Sequence, residues 1–522
     1  MSVFTALLVG FLAGFAYFAR RFMGDFYLER PIILGPLVGI VMGDITTGLY
    51  VGATLELIFM GAVDIGGSVA PNVAIGAAIG TAFAIHNGWD VAQALGVAIP
   101  AALLGSFFEM FAKTFSTFFA SACERCAEKG DTAGISMWLH LGNLAHFLAY
   151  AAPTFFACYL GVEAVGAMME GVPESLRLGI TVAGKVLPAL GFALLLNTQS
   201  TKKFMPLFFI GFMLAAYLNF GVLGTAILAI LVAMIVQNLK PEEDDDFVED
   251  PGEARESLLS PADVKQLYWR SFAIQSAFSF DRMQAIGFTW SLIPILKREY
   301  KEDKEGLTEA LKRHLVFFNT FPWINGPIHV LAAEMEIKKA RGEDIDVKAI
   351  QGVKSALMGP IAGIGDSLIH GTFRPVLGGV CAGLALSGAV AAPFIFLFAT
   401  IALHTFLRWL TINQSVKFGE RALGVVASSS FKKLIEGATM TGLMATGALV
   451  GTWLNVQTGI TYTTGEAVIA LQTMLNGVFP KIIPLGITML SYFLIKKGLK
   501  TNTIMLILVV ASMILGAFKI LV

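Results

Sequence analysis

The sequence predicts an all-α, polytopic membrane protein with re-entrant or broken helices, arranged in two units, and three observations carry that prediction. The 522 residues are 56% hydrophobic and only 14% charged, against about 25% charged in soluble domains, and the mean hydropathy is +0.71. Apolar runs of the ~20 residues needed to cross a bilayer recur along both halves. Near the midpoint, "PEEDDDFVED" from Pro241 to Asp250 places seven acids in ten residues between two such stretches.

The first unit is residues 1–239. It opens on "MSVFTALLVGFLAGFAYFARRF", apolar from the third residue and without a basic leader, which reads as a retained first membrane helix and not as a signal peptide. Further runs follow at 32–62, 68–86, 91–120, 140–160, 178–197 and 204–237. Those at 32–62 and 68–86 are rich in Gly and Pro and carry Asp44, Glu56 and Asp64. Irregular backbone at membrane depth persists only where it is buried in protein or lines a wet cavity.

Residues 240–259 form the acidic linker, whose like charges repel and build no core. The second unit, 260–522, begins with "SPADVKQLYW", where Ser260 suits the helix cap, Pro261 the first helical position and Asp263 the positive end of the helix dipole. Residues 260–350 are largely amphipathic and read as a cytoplasmic front. The membrane part, 351–522, has apolar runs at 352–372, 376–410, 437–455, 468–495 and 502–522.

Charge and motif content exclude several classes. A net charge of −1 argues against nucleic acid. Cys123 and Cys126 form a C-x-x-C without a second ligand pair, so neither zinc nor a disulfide framework is implied. "GITVAGKV" at 179–186 lacks the final Ser or Thr of a phosphate loop and lies in apolar sequence. The seven histidines, among them His146, His314 and His370, fall in no metal-binding spacing. No cofactor, metal or nucleotide site is expected, so energy must come from an ion gradient or a partner.

Ionisable residues inside membrane segments are costly and mark functional sites. The candidates are Asp44, Glu56 and Asp64 in the first unit, and Asp366, His370 and Arg374, within "GPIAGIGDSLIHGTFRP", in the second. With the amides of Asn72 and Asn319 they form the donor and acceptor set that a polyol would need. Helix capping or mutual pairing is the plainer role for any one of them.

"RPIILGPLVGIVMGDITTGLYVGATLELIFMGAVDIGGSVAPNVAIG" resembles the membrane component IIC of mannose-class sugar phosphotransferase systems. "QSAFSFDRMQAIGFTWSLIPILK", "RHLVFFNTFPWIN", "LMGPIAGIGDSLIHGTFRP" and "FPKIIPL" resemble the companion component IID. The resemblance spans about 3–239 and 262–522 and implies a fused sugar permease of the bacterial inner membrane. Such permeases work with soluble IIA and IIB proteins that carry the phosphoryl groups, and assemble as trimers. Carried over by motif, the sugar contacts are Glu56, Asp64, Asn72, Ser279, Arg282, Gln284, Asn319, Asp366 and His370. Asp64 and Asn72 exchange the residue types of the mannose pattern, Ser279 replaces an Asn, and His370 stands where Trp is common. These departures point away from plain mannose, and "TLELIFMG" and "FTWSLIPILK" sit closer to the amino-sugar branch, including N-acetylgalactosamine transporters. The charged stretches "KREYKEDKEGL" and "KKARGEDIDVK", the second beginning at Lys338 and Lys339, are the expected cytoplasmic docking surface for IIB. An ion-coupled secondary transporter is the competing reading; a membrane receptor or scaffold is a third.

Overall fold

The computed structural model describes residues 1–61, 70–165, 173–199, 203–239, 257–419, 429–464 and 467–522. Both Asp64 and most of the acidic linker therefore lie outside the described residues. Six helices among those described are long and apolar enough to cross a membrane.

The chain opens with α1 (Val3–Phe22), whose first turn is capped by Ser2 and whose last turn carries Arg20 and Arg21, matching the helix dipole. Two short helices follow, α2 (Pro31–Met42) and α3 (Ile45–Ile58). At 12 and 14 residues, with about 1.5 Å rise per residue, neither spans the ~30 Å hydrocarbon core. They form a tight hairpin because glycines face each other. A Cβ added to Gly35 would lie 2.6 Å from the Gly48 carbonyl oxygen. Gly43, at φ +84°, makes the turn.

Next come α4 (Val73–Asn87), α5 (Val91–Ala127) and α6 (Thr132–Phe156), the last running on through a π-helical turn at Ala157–Gly161. At 37 residues α5 outreaches a bilayer. Its far end leaves the apolar run and joins a separate core. There Ala120, Cys123 and Ala127 pack with Ile135 and Leu139 of α6 and with the front of the second unit. That front is α11 (Pro261–Ser271), α12 (Ala285–Glu299), α13 (Lys304–His314) and α14 (Gly326–Ala340). Phe288, Leu292, Leu311, Phe318 and Ile337 supply its apolar interior.

The four intervening helices are α7 (Glu174–Val186), α8 (Pro188–Gln199), α9 (Met205–Leu218) and α10 (Val222–Asn238). The phosphate-loop-like 179–186 is thus plain helix. These four pack against helices of the second unit, α18 (Ser429–Trp453), α20 (Ile482–Lys496) and α21 (Thr501–Ala517). Small residues allow the approach, as in many membrane bundles. Gly211 lies against the Met444 carbonyl, Gly447 against the Phe208 carbonyl and Gly179 against Met513. The carboxyl-terminal parts of the two units therefore interleave.

Between front and bundle run α15 (Val347–Gly365) and α16 (Arg374–Leu386), joined by a π-helical stretch at Asp366–Phe373 into one long helix, then α17 (Ala392–Phe418). The apolar run 376–410 is thus split, at Gly388 with φ +88°. A second departure is a hairpin of β1 (Thr461–Thr464) and β2 (Ala467–Ala470), followed by α19 (Leu471–Val478), which meets α20 at 79°. The Thr and Val content of 461–470 suits strands, which an overall apolar count does not register.

Candidate functional site

Two polar cavities of about 40 and 90 Å³ lie where the units meet. The first is lined by Tyr17, Tyr27, Glu29, Arg30, Asn72, Glu109, Tyr150 and Arg374, among others. The second is lined by residues that include Arg21, Asp25, Lys113, Gln275, Gln284, Asn319 and Asp366. Arg20 and His370 border both.

Glu109 organises the first-unit wall. It projects from the middle of α5 and is buried. Its Oε1 accepts from the Tyr17 hydroxyl at 3.2 Å and pairs with Lys113 Nζ at 2.8 Å, one helical turn on. Its Oε2 accepts from Asn72 Nδ2 at 3.2 Å. Asn72 holds that place because its Oδ1 caps α4 through the Ile75 N–H at 3.0 Å. Arg21 donates to the Tyr17 hydroxyl and, at 3.3 Å, to Gln275 of the second unit. The Tyr17 and Tyr150 rings stack with centroids 3.8 Å apart, giving the cavity an aromatic wall.

Broken helix α3 dictates the placement of two arginines. Its carboxyl end leaves carbonyls without helical partners. Arg30 donates to the Phe59 oxygen at 3.1 Å, and Arg374, from the second unit, donates to the Met60 oxygen at 2.8 Å. Positive charge at a helix carboxyl terminus is also favoured by the dipole. Arg20 lies 3.5 Å from Asp25 and 3.7 Å from Glu29. On the second-unit side, His370 Nδ1 is 3.1 Å from Asp366 Oδ1. Gln284 is clamped to the Thr320 backbone, donating to its oxygen at 2.8 Å and accepting its N–H at 3.0 Å.

In the first cavity the Tyr27 hydroxyl, Glu29 Oε2 and Arg374 Nε are buried atoms with no hydrogen-bond partner among the described residues. An unpaired buried polar group costs on the order of 1–3 kcal/mol. A donor, an acceptor and a hydroxyl left over in one aromatic-walled cavity are what a polyhydroxylated ligand satisfies.

Of the sequence candidates, Asn72, Gln284, Asn319, Asp366 and His370 line the cavities. Four lie outside the cavity linings in this conformation. Glu56 is occupied by Arg30, whose Nη2 reaches Oε1 at 2.6 Å. Asp44 caps α3 at the hairpin turn, accepting from the Thr47 N–H at 3.0 Å, at the opposite end of α3 from the cavities. Ser279 turns inward to accept the Arg282 N–H at 3.3 Å, and Arg282 pairs with Glu124 and Asp281 at the protein surface. Sequence reasoning missed Glu109, Lys113, Tyr17, Arg20, Arg21, Asp25, Glu29 and Arg30. The available signal was Glu109 and Lys113 at i and i+4 inside an otherwise apolar helix. No group of three or more His, Cys, Asp or Glu that could hold a metal ion occurs among the described residues.

Two family models match the chain. The one described as "PTS system sorbose-specific iic component" covers residues 3–235, and "PTS system mannose/fructose/sorbose family IID component" covers residues 258–521. The second half is 37% identical over 260 residues to the mannose-specific EIID component of Escherichia coli K12, covering 48% of this chain and 90% of that relative. It is 36% identical over 250 residues to the fructose permease IID component of Bacillus subtilis, covering 47% and 90%. The first half is 31% identical over 222 residues to the mannose-specific EIIC component of E. coli K12, covering 42% and 83%.

Proposed function

The chain belongs to the mannose/fructose/sorbose family of phosphotransferase-system membrane components, joining a IIC and a IID unit in one polypeptide, and from that premise we propose how it carries its sugar. It is a multi-pass sugar permease of the cytoplasmic membrane, and such components work with a sugar substrate and soluble IIA and IIB proteins. The sugar, a hexose or amino sugar, passes between the units through the cavity around Glu109. The observation that carries this reading is the set of partnerless polar atoms on Tyr27, Glu29 and Arg374 beside the stacked tyrosines.

At about 40 and 90 Å³ the cavities are well below the ~300 Å³ and more of ligand pockets. This conformation is therefore closed, and sugar entry requires the walls to part. Glu56 and Asp44 then act by holding the α2–α3 hairpin, not by touching sugar. The permease works as a homotrimer of the fused chain. IIB docks on the front, where Lys338 and Lys339 end α14.

The test is uptake of labelled sugars by cells without their own hexose permeases, with and without the cognate IIA and IIB, followed by identification of the internal product. Sugar phosphate appearing only with the partners is expected. Free sugar accumulating without them, and collapsing with an ionophore, would establish ion coupling instead. In the same cells, reversing Lys338 and Lys339 to Glu is expected to remove partner-dependent uptake; unchanged uptake would place the docking surface elsewhere.

A further inference from the structure

Residues 276–284 of the second unit, "SAFSFDRMQ", cross the first unit as a strap. Two non-glycine residues in it, Ala277 at φ +49° and Met283 at φ +52°, hold left-handed backbone. Such backbone persists only where the surroundings over-determine it. Met283 is held by bridges to Ser279 and Phe318 within the second unit, whereas the surroundings of Ala277 belong to α6. Asn143 Oδ1 accepts the Ala277 N–H at 3.0 Å, and Asn143 Nδ2 donates to Ser276 Oγ at 3.1 Å. His146 Nε2 lies 3.0 Å from the Phe278 carbonyl oxygen, and because a carbonyl only accepts, the ring nitrogen donates. Gly142, one residue before Asn143, leaves room for Ala277: a Cβ there would come within 2.6 Å of the Ala277 methyl. Asn143 and His146 are fully buried, so two polar side chains in a membrane helix bond to the strap.

What the strap delivers is the Phe278 ring. The Arg21 guanidinium carbon lies 4.6 Å from its centroid and Lys113 Nζ lies 5.8 Å from it. These are the two cations beside Glu109, at 4.0 and 2.8 Å from its Oε1. A cation over an aromatic face in a desolvated site is held electrostatically. Contacts thus run from Asn143 and His146 to the strap, from Phe278 to Arg21 and Lys113, and from those to the carboxylate on the cavity wall.

We propose that the strap is a positioning element: Phe278 of the IID unit sets Arg21 and Lys113, and through them Glu109, so that the IIC sugar site is complete only with IID in place. This rests on the assignment of the Glu109 cavity to the sugar. Phe278 touches no substrate in this scheme and acts through the cations.

The experiment measures KM and maximal uptake for whichever labelled sugar the wild-type chain accumulates, in Phe278→Leu, Phe278→Tyr and Glu109→Gln. The yield of monodisperse detergent-extracted protein is the folding control. Phe278→Leu is expected to raise KM about tenfold at near-normal yield and maximal rate, the scale of one lost cation–π contact in a dry site. Phe278→Tyr, which keeps an aromatic face, should restore most of the loss. Should Phe278→Leu not fold, Phe278→Met carries the same comparison. A wild-type KM in the folded Leu or Met variant, whether or not yield or maximal rate falls, overturns the proposal, because a merely structural strap predicts that pattern. Glu109→Gln separates the two assignments. If it too leaves KM unchanged, the cavity reading is what fails; if it raises KM while Phe278→Leu does not, only the strap proposal fails.

Discussion

Glu336, in the front, is buried with its carboxylate held by four donors. Arg313 reaches it at 2.7 and 2.8 Å, His314 Nε2 at 2.9 Å and the Tyr300 hydroxyl at 2.8 Å. Lys354 Nζ approaches His314 Nδ1 at 3.4 Å, so the other ring nitrogen carries the proton that Glu336 receives. Burial alone would raise the Glu336 pKa, but the hydrogen bonds and charge of His314 and Arg313 outweigh it and hold the carboxyl well below its usual range. Burial, with Lys354 alongside, pushes the His314 imidazole down to about 4. Both shifts have the same consequence for stability. The unfolded chain binds protons that the folded one refuses, so the contribution is complete above the ordinary histidine value near 6.5 and falls away as pH drops toward 4, with Glu336 adding its loss below its ordinary 4.5. Thermal unfolding in detergent between pH 7.5 and pH 4 is expected to show a falling midpoint. Glu336→Gln, which leaves Arg313 buried without its acid, should cost on the order of 3–5 kcal/mol at neutral pH and leave the fall between pH 6.5 and 4 in place, because Glu336 raises the His314 pKa and so opposes the shift that causes it. A midpoint unmoved by the substitution would show that the cluster carries no stability. At this scale the sequence exposes acids and amides in glycine-rich breaks, such as Asn72 and Asp366, because the break itself advertises them. Glu109 and Lys113 carry only their i, i+4 spacing as a signal, since no break marks them, and nothing in the sequence shows that Arg30 is the partner of Glu56, since that depends on how a hairpin closes.

The α2–α3 hairpin shows what one element contributes. Its two helices meet backbone to backbone, and a Cβ added to Gly48 would lie 2.5 Å from the Gly35 carbonyl oxygen. Carbonyls cannot rotate aside as a side-chain tip can, so Gly48→Ala must push the helices apart. Overpacking of this kind costs about 1–3 kcal/mol, and here it also shifts Arg30, Glu56 and the Phe59 carbonyl at the cavity end. Gly48→Ala is expected to lower the melting midpoint and reduce uptake together. Gly43→Ala would strain only a positive-φ turn with open space around it and should lower stability with less effect on uptake. Equal transport by Gly48→Ala and wild type would rule out a tight hairpin. That these helices are short and broken was readable from the Gly and Pro spacing. The continuation of α5 to Ala127 was not, because its last turns carry charge where they leave the bilayer and become part of the front's core. The same blindness applies to α15, where Pro360 and the glycines suggest a break but the chain keeps helical bonding through a widened turn.

At the scale of the whole molecule, the acidic linker raises the question of what holds the two units together. A tether raises the effective concentration of each unit for the other and fixes their ratio at one to one, without adding any contact. The folded chain holds its units by contacts of its own. The helices α7–α10 of the first unit pack into α18, α20 and α21 of the second, the Phe278 strap crosses α6, and Arg374 reaches back to Met60. Packing this close, glycine against carbonyl, does not depend on the covalent link between the units. Replacing residues 243–249 with a protease site and cleaving the purified protein is therefore expected to leave both halves in one complex through gel filtration in detergent, with sugar affinity unchanged. Separate expression of the halves at low level should instead lower assembly, because each must find the other by diffusion. If cleavage alone releases the halves or weakens sugar binding, the interleaved bundle is insufficient and the linker does more than bring the units together. The division into two units was visible in the charge pattern; their interleaving was not, since α9, α10 and α21 are apolar all round and such sequence does not specify which neighbour covers it.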